Sequence, residues 1–231
     1  MEAENIRDYS AVRRSLSMSV VAIVASGPTD HLPDFAAFEE VDVWIGVDRG
    51  AYVLAKSEIE MDVAVGDFDS VTEEERMILE RYTATLDIYP KEKNETDLEI
   101  ALEKAFEMKA HTIYLFGVTG GRMDHTMINI QLLLRITARK IKGVIIDKWN
   151  RIELVEQGIH TVEKDQLYPY VSFVPLTDTI EQLRLEGFAY PLDNFQLRWG
   201  STRCISNEIN DSSGTISFES GKLLIIQSRD Q

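Results

Sequence analysis

The sequence predicts an α/β fold in which a parallel, Rossmann-like sheet domain is followed by an all-β sandwich domain. Two patterns carry this reading. Over the first two thirds of the chain, short apolar runs at 20–25, 43–47, 63–65, 86–89, 112–116 and 143–146 alternate with helix-like segments. After about residue 147 the helical spacing stops, and short strand-like pieces separated by turn residues take over. Apolar residues make up 44% of the 231, enough to build a sizeable core.

Taken in order, residues 1–17 are polar and mixed in charge, and read as an N-terminal extension rather than a signal peptide. The apolar runs that follow are β-branched and apolar on both faces, as buried parallel strands are. Thr72-Glu73-Glu74-Glu75 and Thr96-Asp97-Leu98-Glu99 both match the capping-box pattern of a helix start. Leu98, Leu102, Ala105 and Phe106 then recur at helical spacing. Beyond Asp124, the spacing places Ile128, Leu132 and Arg135 on one helix face, with Met127, Ile130 and Leu134 beside it. Strand alternating with helix implies a parallel sheet covered on its faces. In the last third, strands are expected at 151–155, 160–162, 170–175, 180–185, 196–199, 215–219 and 223–227. Pro191-Leu192-Asp193-Asn194, Asn210-Asp211-Ser212-Ser213-Gly214 and Ser220-Gly221 punctuate them. The expected division is therefore an extension over 1–17, an α/β domain over 18–148 and a β-sandwich over 149–231. No Pro/Gly/Ser-rich linker separates the last two, so they are expected to pack closely.

Composition excludes several classes. With 24 Lys and Arg against 39 Asp and Glu, the net charge is −15, which disfavours a nucleic-acid partner. No apolar run approaches the length of a membrane span. The single cysteine, Cys204, excludes a disulfide framework and fits a cytoplasmic location. His31, His111, His125 and His160 show no metal-ligand spacing.

The chemical signal is where the acidic residues fall. Ligands of an open parallel sheet bind outside the carboxyl ends of its strands. The run at 43–47 leads into Asp48-Arg49-Gly50, either a carboxylate at the sheet edge or a simple Asp helix cap. The run at 63–65 leads into Gly66-Asp67-Phe68-Asp69-Ser70. Asp67 and Asp69, two apart on extended chain, point the same way, so a cation between them relieves their repulsion. Oxygen-only ligands of this kind suit Mg²⁺ together with substrate phosphates. Lys91 and Lys93 precede the helix start at Thr96 and Asp97, which is either an anion-binding N-terminus or capping alone. The run at 112–116 leads into Gly117-Val118-Thr119-Gly120-Gly121-Arg122-Met123-Asp124. There, glycine amides can form an anion nest, Arg122 can clamp a phosphate, and Asp124 can cap the next helix or help hold a cation. The P-loop pattern is absent.

At these residues the chain resembles the thiamin pyrophosphokinase family. Asp48-Arg49-Gly50, Gly66-Asp67-Phe68-Asp69-Ser70, Asn94-Glu95-Thr96-Asp97 and Gly120-Gly121-Arg122-Met123-Asp124-His125 occur in that family's motif order, and the resemblance covers about 20–228. It implies transfer of a diphosphate group from Mg-ATP to the hydroxyethyl oxygen of thiamin, with release of AMP. It also implies a homodimer with active sites at the interface. Carried over by motif, Asp67, Asp69 and Asp97 handle Mg²⁺ and phosphate, while Arg122 and Asp124, with Asp48, line the nucleotide site. Gly50, Thr96, Gly120 and Gly121 join them in binding. Ser206 and Asn207, within Arg203-Cys204-Ile205-Ser206-Asn207-Glu208, offer a hydroxyl and an amide to the thiamin pyrimidine; the residues alone also fit a polar turn. Trp199 is the candidate aromatic for the thiamin ring, with a core position as its alternative. Arg49 stands where the family often has glycine. Thiamin is cationic, and a strongly acidic protein favours its approach. Two rival readings are a haloacid-dehalogenase-type phosphatase with Asp67 as nucleophile, and a non-catalytic nucleotide- or metal-binding module with a β interaction domain.

Overall fold

A computed structural model describes residues 19–68, 71–88 and 95–231; the extension expected over 1–17 lies outside them, as do Asp69 and Asn94. Six parallel strands form the first half: β1 (Ser19–Val24), β2 (Val43–Val47), β3 (Met61–Gly66), β4 (Thr83–Ile88), β5 (Ala110–Phe116) and β6 (Lys142–Ile146). They lie in the order β6-β5-β1-β2-β3-β4. Registers such as Val24 opposite both Gly46 and Phe116 bring their carboxyl ends to one rim.

Four helices cover the two faces. α1 (Arg49–Lys56) buries Gly50, Ala51, Leu54 and Ala55, and α2 (Glu73–Tyr82) buries Leu79. Both pack with Ala22, Val24 and Phe116 on one face of the sheet. α3 (Asp97–Glu107) buries Leu98, Ala101, Leu102 and Ala105. α4 (Met123–Ala138) buries Leu132, Leu133 and Ile136. These meet Val21, Ile23, Ile113 and Leu115 on the opposite face. The i, i+3, i+4 spacing of the buried positions is what an amphipathic helix needs to cover a sheet.

The expected capping box at Thr72 forms in full, the Thr72 hydroxyl accepting from the Glu75 N–H and the Glu75 carboxylate accepting from the Thr72 N–H. At α3 the Thr96 hydroxyl accepts from the Glu99 N–H, but the Glu99 carboxylate pairs with Arg135 of α4 instead. The face expected for α4 is rotated: Met127 and Ile128 are exposed, and the buried stripe runs through Leu132, Leu133 and Ile136. Arg135, expected on the Ile128 face, pairs with Glu99 and Glu103 of α3.

From residue 150 on, every regular element is a strand: β7 (Asn150–Glu163), β8 (Tyr170–Pro175), β9 (Thr179–Glu186), β10 (Leu192–Arg198), β11 (Asn207–Glu208) and β12 (Ser213–Ser228). Pieces expected as separate strands are continuous here. Positions 151–155 and 160–162 belong to β7, and 215–219 and 223–227 to β12. The Ser220-Gly221 turn signal is instead a kink, where the register of β12 on β7 shifts between Phe218 and Lys222. Gly221 has φ 104°, open to glycine at no steric cost, and a Cβ there would lie 2.6 Å from the Thr179 carbonyl oxygen. On either side of the kink β12 changes partner, pairing β9 before it and β8 after it. Phe173 of β8, Leu183 and Leu185 of β9, and Ile216 and Leu223 of β12 share one core, so the two layers close as a sandwich. Cys204 is buried in that core, and burial pushes its thiol pKa up.

β7 turns back antiparallel on β6, with Ile145 opposite Ile152, so one sheet hydrogen-bonds through both halves. Ile152, Leu154 and Leu224 also join the core under α3 and α4. Thermal unfolding is therefore expected as one transition, with coincident midpoints by tryptophan fluorescence and far-ultraviolet circular dichroism; two separated transitions would contradict a shared sheet.

Candidate active site at the carboxyl rim

Strand order reverses at β1, whose neighbours β2 and β5 lead away in opposite directions. Crevices at such switch points are where open α/β sheets bind ligands. Here the crevice walls are 25–31, after β1, and 117–124, after β5. Backbone bonds join them tightly: Ala25 N–H donates to Phe116 O and Gly27 N–H to Gly117 O, both at 2.8 Å. A Cβ on Gly27 would sit 2.5 Å from Gly117 O, so this approach requires the small residue. Gly120 packs against the His31 ring, whose edge meets Trp149 at 4.6 Å.

The loop after β5 has Gly117, Gly120 and Gly121 at positive φ (64°, 83° and 64°), which lets the chain double back before α4. Asn129 Nδ2 of α4 donates to Val118 O at 2.9 Å and anchors it. Arg122 and Asp124 project into solvent from the first turn of α4 and pair at 2.5 Å. The Arg122 guanidinium, with help from the His125 N–H, holds the Asp124 carboxyl down at about 2. Asp124 does not cap α4; Arg122 occupies that position.

On the other side of β1, Asp48 follows β2 at φ 47°, ψ −117°, a backbone shape that L residues rarely adopt. Its N–H donates to Val65 O at 2.8 Å. Asp48 makes no side-chain cap on α1, so the simple capping reading does not hold. Its carboxylate lies over Gly66, where any Cβ would overlap Oδ1. Asp67 follows directly. Gly50, expected among the binding residues, is buried with its Cα against the Val24 carbonyl, and any Cβ there would overlap it; its task is to let α1 approach β1. Arg49 reaches Glu75 of α2 at 3.1 Å. α3 crosses back beneath β3, β2 and β1 to β5, which sets Thr96 and Asp97 at the same rim.

The rim thus gathers Asp48, Asp67, Thr96, Asp97, Gly120, Gly121, Arg122 and Asp124. Among the described residues no group of three His, Cys, Asp or Glu side chains is close enough to cage a metal. Asp69, central to the expected Mg²⁺ pair, lies outside those residues. Hard carboxylate oxygens still suit Mg²⁺, which needs only one or two of them beside substrate phosphates and water.

Ser206 and Asn207 belong to the β-rich half, at β11. Ser206 is exposed at φ 55°, its N–H donating to Ser172 Oγ at 2.9 Å. Asn207 is 3% exposed. Its Oδ1 accepts from the N–H groups of Tyr190 and Glu208, and its Nδ2 donates to Tyr190 O, all at 2.9 Å. The amide expected to meet a pyrimidine is occupied with backbone, so Asn207 holds 190 against β11 while Ser206 stays available. Trp199 is 66% exposed and hence not core.

Sequence reasoning missed two parts of the crevice. Ser26-Gly27 follows a buried strand as Asp48 does, and Asp147 follows β6 in the same way. Strand-end position was the available signal in both cases.

The rim has the make-up of a site for a phosphate-bearing ligand, on an α/β sheet continued by a β-rich half. Comparison with known proteins agrees. Residues 36–145 match the thiamin pyrophosphokinase catalytic domain, and residues 158–223 match the thiamin pyrophosphokinase vitamin B1 binding domain. The chain is 44% identical over 214 residues to thiamine pyrophosphokinase of Bacillus subtilis (strain 168), covering 92% of this chain and 100% of that one. A crystal structure of thiamine pyrophosphokinase from Bacillus subtilis superposes with a TM-score of 0.87 at 44% identity, over 92% of this chain and 100% of that one. One of thiamin pyrophosphokinase from Geobacillus thermodenitrificans gives 0.83 at 43%, over 92% and 98%. Thiamin pyrophosphokinase from Candida albicans, 18% identical, shares the fold with a TM-score of 0.76, over 92% and 90%. The chain belongs to the thiamin pyrophosphokinase family.

The Arg122–Asp124 pair makes a pH prediction. The Asp124 carboxyl is held below its ordinary value of 3.8, so whatever the pair contributes is complete above that value and is lost as pH falls through about 2. Carbon-13 titration of Asp124 should show a midpoint near 2 that rises toward 3.8 in Arg122→Ala; an unchanged midpoint would mean the pair does not form.

Proposed function

We propose that this chain transfers a diphosphate group from ATP to the hydroxyethyl oxygen of thiamin, releasing AMP. The observation that carries this is the rim itself. Carboxylates at Asp48, Asp67 and Asp97 flank one side of the β1 crevice, and a glycine-rich loop ending in Arg122 forms the other. Neither rival reading gains support from the family to which the chain belongs. Among the described residues no helix is long and apolar enough to cross a membrane, and we take the cytoplasm as the working compartment.

The hydroxyl oxygen of thiamin attacks the β-phosphorus, the bond from that phosphorus to the oxygen bridging the α-phosphate breaks, and AMP leaves with that oxygen. Phosphoryl-type transfer of this kind asks the protein mainly for positioning and charge neutralisation. Gly120 and Gly121 offer backbone N–H groups to phosphate oxygens. Arg122, held in place by Asp124, turns its guanidinium to the transferring group, where a fixed cation stabilises developing charge. Asp67 and Asp69 are the residues that would hold Mg²⁺, and Asp48 lies over Gly66 beside Asp67. Bound there, the ion would supply charge neutralisation to the phosphates. Asp97 takes the hydroxyl proton in this scheme. Asp124, with a pKa of about 2, is a poor proton acceptor.

The thiamin pocket is assigned to the β-rich half around Ser206, with Asn207 setting the local backbone. Exposed Tyr190, Ile205 and Trp199 lie on that half and supply apolar surface. We take the working unit to be a homodimer with its active sites at the interface, as the resemblance to the family implies.

The test is AMP release from Mg-ATP with and without thiamin. Thiamin-dependent AMP in equal amount to thiamin diphosphate supports the reading; inorganic phosphate as the product, or no thiamin dependence, overturns it. Asp67→Asn is expected to lower turnover by about a hundredfold or more at saturating Mg²⁺ and ATP, in line with the loss of a group that orders transition-state charge.

A further inference from the structure

One buried carboxylate is not used by the chemistry above. Asp147 directly follows β6 and is 3% exposed. Every group around its carboxylate is a donor. Thr119 Oγ1 donates to Oδ2 at 2.6 Å. Asn150 Nδ2 donates to Oδ1 and Oδ2 at 3.0 and 3.1 Å. The backbone N–H groups of Trp149 and Asn150 both donate to Oδ1 at 2.8 Å. A carboxylate deprived of water is stable only when its lone pairs are satisfied in this way.

Each partner leads to a wall of the crevice. Thr119 is 8% exposed and sits between Val118, anchored by Asn129, and Gly120, packed on His31. Trp149 meets the His31 ring, and Lys148 N–H donates to His31 O at 2.7 Å. The Asp147 carbonyl accepts from the Tyr168 hydroxyl at 2.7 Å. Tyr168 is 5% exposed and lies between β7 and β8, within the β-rich half.

We propose that Asp147 is a positioning residue for the phosphate-binding loop: through Thr119 it fixes the Gly120 and Gly121 amides and Arg122 to receive the nucleotide, and through Tyr168 it ties that loop to the β-rich half. This rests on the reading of the rim as the ATP site. Asp147 does not itself touch the substrate; it acts by holding the loop. An asparagine in its place keeps the shape but replaces an acceptor with an N–H₂ group. The Thr119 hydroxyl can rotate to accept from that group, but Asn150 Nδ2, which donates to both oxygens, then faces another donor.

Steady-state kinetics with Mg-ATP and thiamin varied separately test the proposal in the full chain. Asp147→Asn and Thr119→Val should each raise KM for Mg-ATP about five- to tenfold, the scale of one hydrogen bond's net contribution. KM for thiamin should change less than twofold. Thr119→Ser, which keeps the hydroxyl, should behave as wild type. The double variant should fall short of the product of the two single effects, because both loosen the hold of residue 147 on the same loop. Amide hydrogen exchange over 117–122 should quicken in Thr119→Val even without ligand. Unchanged exchange, equal shifts in both KM values, or effects that multiply in the double variant would overturn the proposal. Should Asp147→Asn fail to fold, Thr119→Val against Thr119→Ser still decides it. If the wild-type protein gives no thiamin-dependent AMP, the functional reading fails instead, and the exchange measurement still judges the loop.

Discussion

The structure depends on the close approach of two strand ends, β1 and β5. Gly27 and Gly117 meet backbone to backbone, with no room for a side chain on Gly27. That contact closes the floor of the crevice and sends the following segments up as its walls. Because strand order reverses at β1, the neighbouring helices leave in opposite directions, and the space above remains open for a ligand. The same economy recurs at Gly50, whose buried backbone lets α1 start directly beside the end of β1.

Charge is placed against that frame in two different ways. Asp48 is held rigidly, by a backbone shape that costs energy and by its seat over Gly66. Arg122 and Asp124 are exposed and face each other, which adds little to stability in water but keeps an arginine pointed beside the glycine loop. A rigid carboxylate side and a responsive cationic side suit a ligand that brings its own negative charge and its own metal ion. The continuous sheet from β6 into β7 gives the β-rich half a fixed position relative to this rim.

Much of this was legible in the sequence because parallel strands buried on both faces stand out as apolar runs, and residues just after them must lie at the rim. Asp48, Asp67 and the Gly120-Gly121-Arg122 loop lie at the rim by that logic, whereas Gly50, given a binding role by the family resemblance, is buried against the Val24 carbonyl. The rotation of α4 was not legible, since Arg135 could read as a member of the Ile128 face until its partners on α3 were known. Neither was the continuity of β7 and β12: a Ser-Gly pair marks a turn and a strand kink with the same letters, and only the register of the partner strand separates them. Asn207 shows a similar limit. Its side chain can serve a ligand or a backbone, and the choice depends on Tyr190, seventeen positions away in sequence.

The central claim is that a metal–triphosphate sits in the β1 crevice, between the carboxylate side and the glycine loop. Paramagnetic broadening of amide resonances by Mn²⁺-ATP tests it most directly. The account predicts that signals of Asp48, Asp67, Gly120 and Gly121 broaden together as the complex is added, and recover when Mg²⁺-ATP competes. Broadening confined to other parts of the chain, with these four signals unaffected, would contradict it.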